Sequence, residues 1–91
     1  MEFEWDENKN QINIRKHEID FFDASKVFDD PNFIVNEDTR HDYDEARYQV
    51  VGNIDAHGTI FVVHTERYDN VIRIISARKA NNKEKHLYQS R

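Results

Sequence analysis

The stretch RYQVVGNIDAHGTIFVVHTER, from Arg47 to Arg67, decides the fold. Its two runs of β-branched residues, RYQVVGNI and TIFVVHTER, predict two strands, and the turn residues DAHG between them predict a hairpin. A third run, VIRIISAR, follows at positions 71–78, and a fourth, NFIVNE, precedes the hairpin at positions 32–37. Because the connections are too short for crossovers, we expect these four strands to form an antiparallel meander.

Helical patterns precede the meander. The segment FEW predicts a short strand, and Asp6 has the character of an N-cap for the helix DENKNQINIRKH. A second helix, DFFDASKVFDD, is predicted from Asp20 to Asp30, where Pro31 stops it. The charged segment DTRHDYDEA, at positions 38–46, is expected to be a loop.

A last helix follows the meander. Asn81 and Glu84 have the spacing of a capping box, which predicts that NKEKHLYQS is a short C-terminal helix. We therefore expect one α+β domain over residues 1–91. Its antiparallel sheet has four to five strands, and its helices pack on one face of that sheet.

Charge is divided unevenly along the chain. Residues 1–63 hold 6 Lys/Arg and 15 Asp/Glu, whereas residues 64–91 hold 7 and 3, and the net charge is -5. The last third is thus a basic module on an acidic body, which favours an anionic ligand at that end. The absence of Cys excludes disulfides and thiolate sites. The lack of an apolar leader or a long apolar stretch predicts a cytoplasmic protein.

The first cationic cluster is Arg73, Arg78 and Lys79, at the end of the third predicted strand. Strict alternation would place Arg78 on the same face as Ile72, Ile74 and Ser76, and Arg73 on the other face with Ile75. Two interpretations stay open. The cations are either strand-end solubilisers and ion-pair partners, or they clamp a phosphate, to which guanidinium groups are suited.

A second pair, Arg47 and Arg67, is expected to share one end of the sheet, because neighbouring antiparallel strands start and end together. Surface ion pairs with Asp44, Glu45 or Glu66 explain these arginines equally well on sequence alone. Tyr88 lies among basic residues and is a candidate for stacking on a base.

The histidines lack metal-site spacing, so we expect no zinc. His17 ends a helix, where the helix dipole alone explains a cation, and His64 lies in an apolar strand, where a core histidine is the default. Either is a candidate acid or base if it is exposed in a cleft. The chain has no glycine-rich phosphate loop, which argues against a nucleotide-triphosphate enzyme.

Five segments together resemble the BrnT family of bacterial type II toxins: FEWDENKNQINIRKH, VFDDP, RYQVVG, VVHTER and IRIISARKANNKEK. They cover nearly the whole chain in order. The resemblance implies a RelE-like α+β fold and an endoribonuclease that arrests translation. It also implies a cognate antitoxin of the BrnA type, whose ribbon-helix-helix part binds operator DNA so that the complex represses its own operon.

The resemblance also implies site residues. The motif positions are Lys16, His17, Arg47, Arg67, Arg73, Ser76, Arg78 and Lys79, and Glu84 matches the acidic position of the last helix. The family usually has Gly after the KH motif, and this chain has Glu18, which implies a different or strained helix end.

The corresponding hypothesis is RNA cleavage without a metal or any other cofactor. Arg78 and Arg47 hold the phosphate, Lys79 and Arg73 assist by charge, and His17 or His64 transfers a proton. Arg67, Ser76, Lys16 and Tyr88 complete the substrate-binding set. The alternatives are a non-catalytic interaction domain and an inactive toxin that acts as a co-repressor.

The acidic body offers a separate interpretation. Phe21, Phe22 and Phe28 are either apolar anchors for basic segments of the antitoxin or residues of the core. The apolar spacing of this segment favours the core.

Overall fold

The computed structural model describes residues 1–39 and 45–90. The elements run in the order β1 (Glu2–Glu4), α1 (Glu7–His17), α2 (Phe21–Ser25), a 3-10 helix (Lys26–Asp29), β2 (Ile34–Glu37), β3 (Tyr48–Ile54), β4 (Gly58–Tyr68), β5 (Val71–Lys79) and α3 (Asn82–Gln89). The predicted strands and helix caps are thus present. The predicted second helix is shorter and tightens into the 3-10 helix. The middle of the predicted charged loop, residues 40–44, lies outside the described residues.

The sheet is mixed, with the strand order β1-β5-β4-β3-β2. The meander of β2 to β5 is antiparallel, as the short connections predict. The expectation of a wholly antiparallel sheet is wrong, because β1 pairs with β5 in parallel. Residues 5–70 separate these two strands, and a connection of that length permits parallel pairing.

Helices cover both faces of the sheet, so the expectation of one covered face is also wrong. Val50 and Val62 belong to the main core with residues of α2, whereas Val51 and Val63 form a second cluster with Tyr88 of α3. Successive strand residues point to opposite faces. Because β3 and β4 are apolar on both faces, the second face also needs a cover, and α3 supplies it.

Two bulges disturb the alternation of side chains. Val63 pairs with Ser76 and His64 pairs with Ile74, so Ile75 is an extra residue in β5. A second irregularity lies between Glu66 and Tyr68 of β4. Bulges re-aim the side chains beyond them.

The bulge in β5 corrects the predicted grouping of its residues. Arg78 pairs with Phe61, whose ring belongs to the cluster under α3, whereas Ile72 and Ile74 lie in the main core. Arg78 therefore lies on the opposite face from Ile72 and Ile74, because the extra residue shifts the alternation by one position.

In the described part of the chain, no helix is long and apolar enough to cross a membrane.

Candidate functional site

A groove of about 210 Å³ runs between α1 and β5, at the edge of the sheet beyond the end of β1. It brings together three residues that the sequence singled out, Lys16, His17 and Ser76. The groove is lined by Lys9, Ile12, Asn13, Lys16, His17, Ile75 and Ser76. The described residues of this lining include no carboxylate, so its ionisable side chains are all basic.

Asn13 fixes α1 against the edge of β5. Its side-chain amide donates to the carbonyl oxygens of Ile19 and Ala77, at 2.9 Å each, and its oxygen accepts from the Ala77 N–H at 3.1 Å. The side chain thus bonds to both backbone groups of Ala77 as a neighbouring strand would. Lys16 is one turn further along α1, so this contact sets the helix that carries Lys16 and His17 beside Ser76.

A second asparagine holds the following segment. The side-chain oxygen of Asn10 accepts from the Phe21 N–H at 2.9 Å, which ties the start of α2 to α1. Asn10 and Asn13 are both buried. Asn10 and Asn13 are therefore structural, whereas Lys9, Lys16 and His17 of the same helix line the groove.

The C-terminal end of α1 has the strained geometry that the departure from Gly implied. Glu18 adopts a left-handed conformation with φ 59, and its N–H donates to the Ile14 carbonyl. This conformation ends the helix directly after His17, which lines the groove. A side chain in this region of backbone space costs about 1 kcal/mol relative to Gly.

Lys9 and Lys16 differ electrostatically from the arginines of β5. Within residues 1–39 and 45–90, neither lysine forms an ion pair. Both side chains are exposed. Their charges are therefore available to a ligand in the groove, and an exposed apolar side chain, Ile12, lies between them with 54% of its surface accessible.

Arg78 forms a bidentate ion pair with Glu84. Two guanidinium nitrogens each donate to a different carboxylate oxygen at 2.8 Å, and the guanidinium lies 4.1 Å from the centre of the Phe61 ring. Glu84 also accepts from the Asn81 N–H, so the capping box is present. Arg78 therefore joins the end of β5 to the start of α3, which explains a cation at this position. Lys79, the next residue, is exposed.

Arg73 and Arg67 share one carboxylate on the opposite half of the sheet. Arg73 donates to Glu4 at 2.8 Å, and the Nε atom of Arg67 lies 3.9 Å from the same oxygen. Arg67 also lies over the ring of Tyr68, at 5.9 Å. These arginines are near the end of the sheet where β4 finishes, away from Lys79.

Arg47 directly precedes β3 and is half-buried, and its carbonyl accepts from the Asp38 N–H. It lies at the same end of the sheet as Arg67, since Tyr48 pairs with His64 and β4 continues beyond that pair. Arg78 of β5 pairs with Phe61 of β4, which comes three residues before His64. Because β4 lies between β5 and β3, Arg78 is two strands away from β3. Because Arg47 is one residue beyond Tyr48, the backbones of Arg47 and Arg78 are offset by about 13 Å along the strands and about 10 Å across them, and the two residues lie toward different ends of the sheet.

His64 lies in the core. It is 3% exposed, stacks on Tyr48 with ring centres 5.4 Å apart, and meets the edge of Phe28 at 5.2 Å. Its Nδ1 atom has no hydrogen-bond partner among the described residues. Burial lowers the pKa of His64 to about 4, because the charged form loses its hydration. The imidazole is thus neutral at pH 7 and outside the groove.

The remaining candidates lie elsewhere. Tyr88 belongs to α3, and its ring packs against the second core cluster, between α3 and the sheet. Its hydroxyl donates to Asp30. Phe21 is fully buried and Phe28 packs against the core, as the core interpretation expects, but Phe22 is 60% exposed.

An acidic groove of about 460 Å³ near Phe22 includes Asp23, Asp29, Asp30 and Asp55 in its lining. Within the described chain, no His and carboxylate cluster is arranged to hold a metal ion.

The sequence reasoning missed Lys9, Ile12 and Asn13. The signal was present in the helical spacing. Lys9 and Lys16 are seven residues apart, which places them on one stripe of α1, and Ile12 lies between them on that stripe. An apolar residue that lies between two cations on one stripe of a mostly polar helix is the pattern that could have indicated a groove.

Comparisons with known proteins identify a family and a similar fold. A family profile described as "Ribonuclease toxin, BrnT, of type II toxin-antitoxin system" matches residues 5–84. The fold is similar to the 1.1 Å crystal structure of the Brucella abortus ribonuclease toxin BrnT, with a TM-score of 0.68 and 26% sequence identity. That match covers 90% of this chain and 99% of the Brucella chain. A search among curated proteins gives no match.

Proposed function

Because this chain belongs to the BrnT family of ribonuclease toxins from type II toxin–antitoxin systems, we propose that it cuts RNA in the groove between α1 and β5. The observation that carries the proposal is the convergence of Lys16, His17 and Ser76 on one groove. A phosphate seated there meets Lys16, which forms no ion pair within the described residues, and the imidazole of His17. The exposed Lys79 adds charge at the end of the same strand.

The reaction is an attack by the ribose 2′-oxygen on the adjacent phosphorus. His17 removes the proton of the 2′-hydroxyl, the bond to the 5′-oxygen breaks, and an acid protonates that oxygen. The products are a 2′,3′-cyclic phosphate and a 5′-hydroxyl end. Lys16 offsets the negative charge that builds up on the phosphorus centre and is the candidate acid. Ser76 donates a hydrogen bond to a phosphate oxygen.

The chemistry of the groove supports a mechanism without a metal ion. Magnesium binds to carboxylate and carbonyl oxygens, and it is usually held in nuclease sites by one or two carboxylates. The described lining of the groove has amines, an imidazole and a hydroxyl, but no carboxylate. Such a lining repels a divalent cation and attracts a phosphate.

The arginines have a different place in this proposal. Arg78 keeps its ion pair with Glu84. Its side chain is still 34% exposed, so its positive charge can act on a phosphate beyond Ser76. It therefore orients the strand end and assists by charge. Arg47, Arg67 and Arg73 lie outside the groove, at the other end of the sheet.

The partner of this toxin is a cognate antitoxin, as the family description implies for type II systems. The proposal assigns it a ribbon-helix-helix part that binds operator DNA, so that this chain reaches DNA only through the complex. The acidic body of residues 1–63 suits basic segments of such a protein. The site of action is the cytoplasm, where the RNA is found.

The test is cleavage of labelled RNA by the purified chain with EDTA present. We expect cleavage that survives EDTA, falls by two orders of magnitude or more in His17→Ala, and falls in Lys16→Ala and Arg78→Ala. Lys26→Ala is the matched control, because Lys26 is exposed and pairs with Asp23 outside the groove. A His17→Ala protein that is folded and fully active would refute the assignment. Intact RNA in every reaction, together with operator binding by the antitoxin complex, would favour the co-repressor alternative.

A further inference from the structure

Two features of the groove are not used by the reaction described above. Lys9 lies at the end of the groove away from His17, and Ile12 is exposed between Lys9 and Lys16. Seven residues of α-helix separate the two lysines by about 10 Å along the helix axis. One phosphate at Lys16 and His17 therefore leaves Lys9 without a ligand.

The floor between the two lysines is apolar. Ile12 from α1 and Ile75 from β5 both line the groove. Ile75 is the extra residue of the bulge in β5, so the irregularity of the strand is located at this floor. An exposed isoleucine between two cations fits a ligand that alternates anionic and apolar parts. A single strand of nucleic acid has this alternation, with phosphates along the backbone and ribose or base between them.

From these features, and resting on the proposed ribonuclease function, we infer that Lys9 binds a second phosphate of the RNA and that Ile12 and Ile75 hold the nucleoside between the two phosphates. The groove is thus an extended subsite for single-stranded RNA along α1. A lysine is a compact charge without a fixed fork, so this contact reads the backbone and not the base. Double-stranded RNA presents its phosphates on a rigid helix and is not expected to enter so narrow a groove.

Binding tests this inference without requiring cleavage. The probe is a fluorescent ten-nucleotide RNA with 2′-O-methyl groups throughout, which removes the attacking hydroxyl. Its affinity is measured by anisotropy over a range of salt concentrations. Each lysine–phosphate contact to a single strand contributes about 0.7 to the slope of log K against log salt. We expect Lys9→Ala to lower this slope by about that amount and to weaken binding about three- to tenfold.

Lys26→Ala is the control for a general change of charge, and it is expected to leave the slope unchanged. Lys9→Arg should retain the slope, because the charge is preserved. Ile12→Ala is expected to weaken binding of this probe, and the difference in affinity between the wild type and Ile12→Ala should disappear on a matched probe that is abasic at every position. An unchanged slope in Lys9→Ala would overturn the inference even if the wild type cuts RNA. Conversely, a Lys9-dependent slope in a protein that cuts no RNA would uphold the binding subsite and refute the proposed catalysis.

Discussion

Asn13 provides the sharpest test of how the sequence builds the groove. The change Asn13→Ala removes three buried hydrogen bonds and leaves the Ala77 N–H and the carbonyls of Ala77 and Ile19 without that partner. A buried polar group left unsatisfied costs about 1–3 kcal/mol. Asn13 is 6% exposed, at the rim of the groove, where water reaches part of the site. We therefore expect a loss of about 3 kcal/mol for the whole change.

The control is Asn8→Ala on the same helix. Asn8 is exposed, so both substitutions gain a similar helix propensity, about 0.6 kcal/mol, and only Asn13 loses buried bonds. For a domain of this size the dependence on urea is about 1 kcal/mol per molar. The midpoint of unfolding is then expected about 3–4 M lower in Asn13→Ala than in Asn8→Ala. Equal midpoints would show that the Asn13 bonds do not hold α1 against β5.

Two further predictions concern single residues. His64 has a folded pKa of about 4, below its unfolded value of about 6.5, so the unfolded chain binds more protons in this window and stability falls as the pH drops from 6.5 toward 4. Between pH 7 and pH 5 the free energy of unfolding falls by about 2 kcal/mol for this reason. In His64→Phe, measured beside the wild type by urea unfolding at both pH values, that part of the fall should be absent. An equal fall in both proteins would refute the explanation. Glu18→Gly relieves the left-handed backbone at φ 59 and is expected to raise the free energy of unfolding by about 0.5–1 kcal/mol. Glu18→Ala is its control, since it keeps the strain, and an Ala variant as stable as the Gly variant would contradict the explanation.

Local signals in the sequence predicted the elements well. The hairpin around DAHG, the Asp6 cap and the capping box from Asn81 to Glu84 are all present. Each of these signals depends on residues only a few positions apart. The errors concern relations that no local pattern encodes. The parallel pairing of β1 with β5 joins residues about seventy positions apart, and the packing face of α3 depends on both apolar faces of the sheet.

The candidate site was predicted in part for the same reason. The KH pattern and Ser76 were assigned to a site, and the structure brings Lys16, His17 and Ser76 to one groove. The grouping of Arg78 failed because one bulge residue in β5 shifts the alternation. A bulge of this kind has no reliable sequence signal here, since RIISAR alternates acceptably in either register.

The contrast between lysines and arginines explains how a chain of net charge -5 can present the basic groove that we propose as the RNA site. Arg67 and Arg73 share the carboxylate of Glu4, Arg78 pairs with Glu84, and these three arginines serve mainly to join elements. Within the described residues the lysines of the groove form no ion pair, and the described lining has no carboxylate. The field at the groove therefore depends on which cations lack a partner and not on the sum over the chain. The apolar side chains of Ile12 and Ile75 offer no hydrogen bonds to base edges. We therefore expect the groove to select RNA for a flexible, single-stranded backbone more than for its sequence.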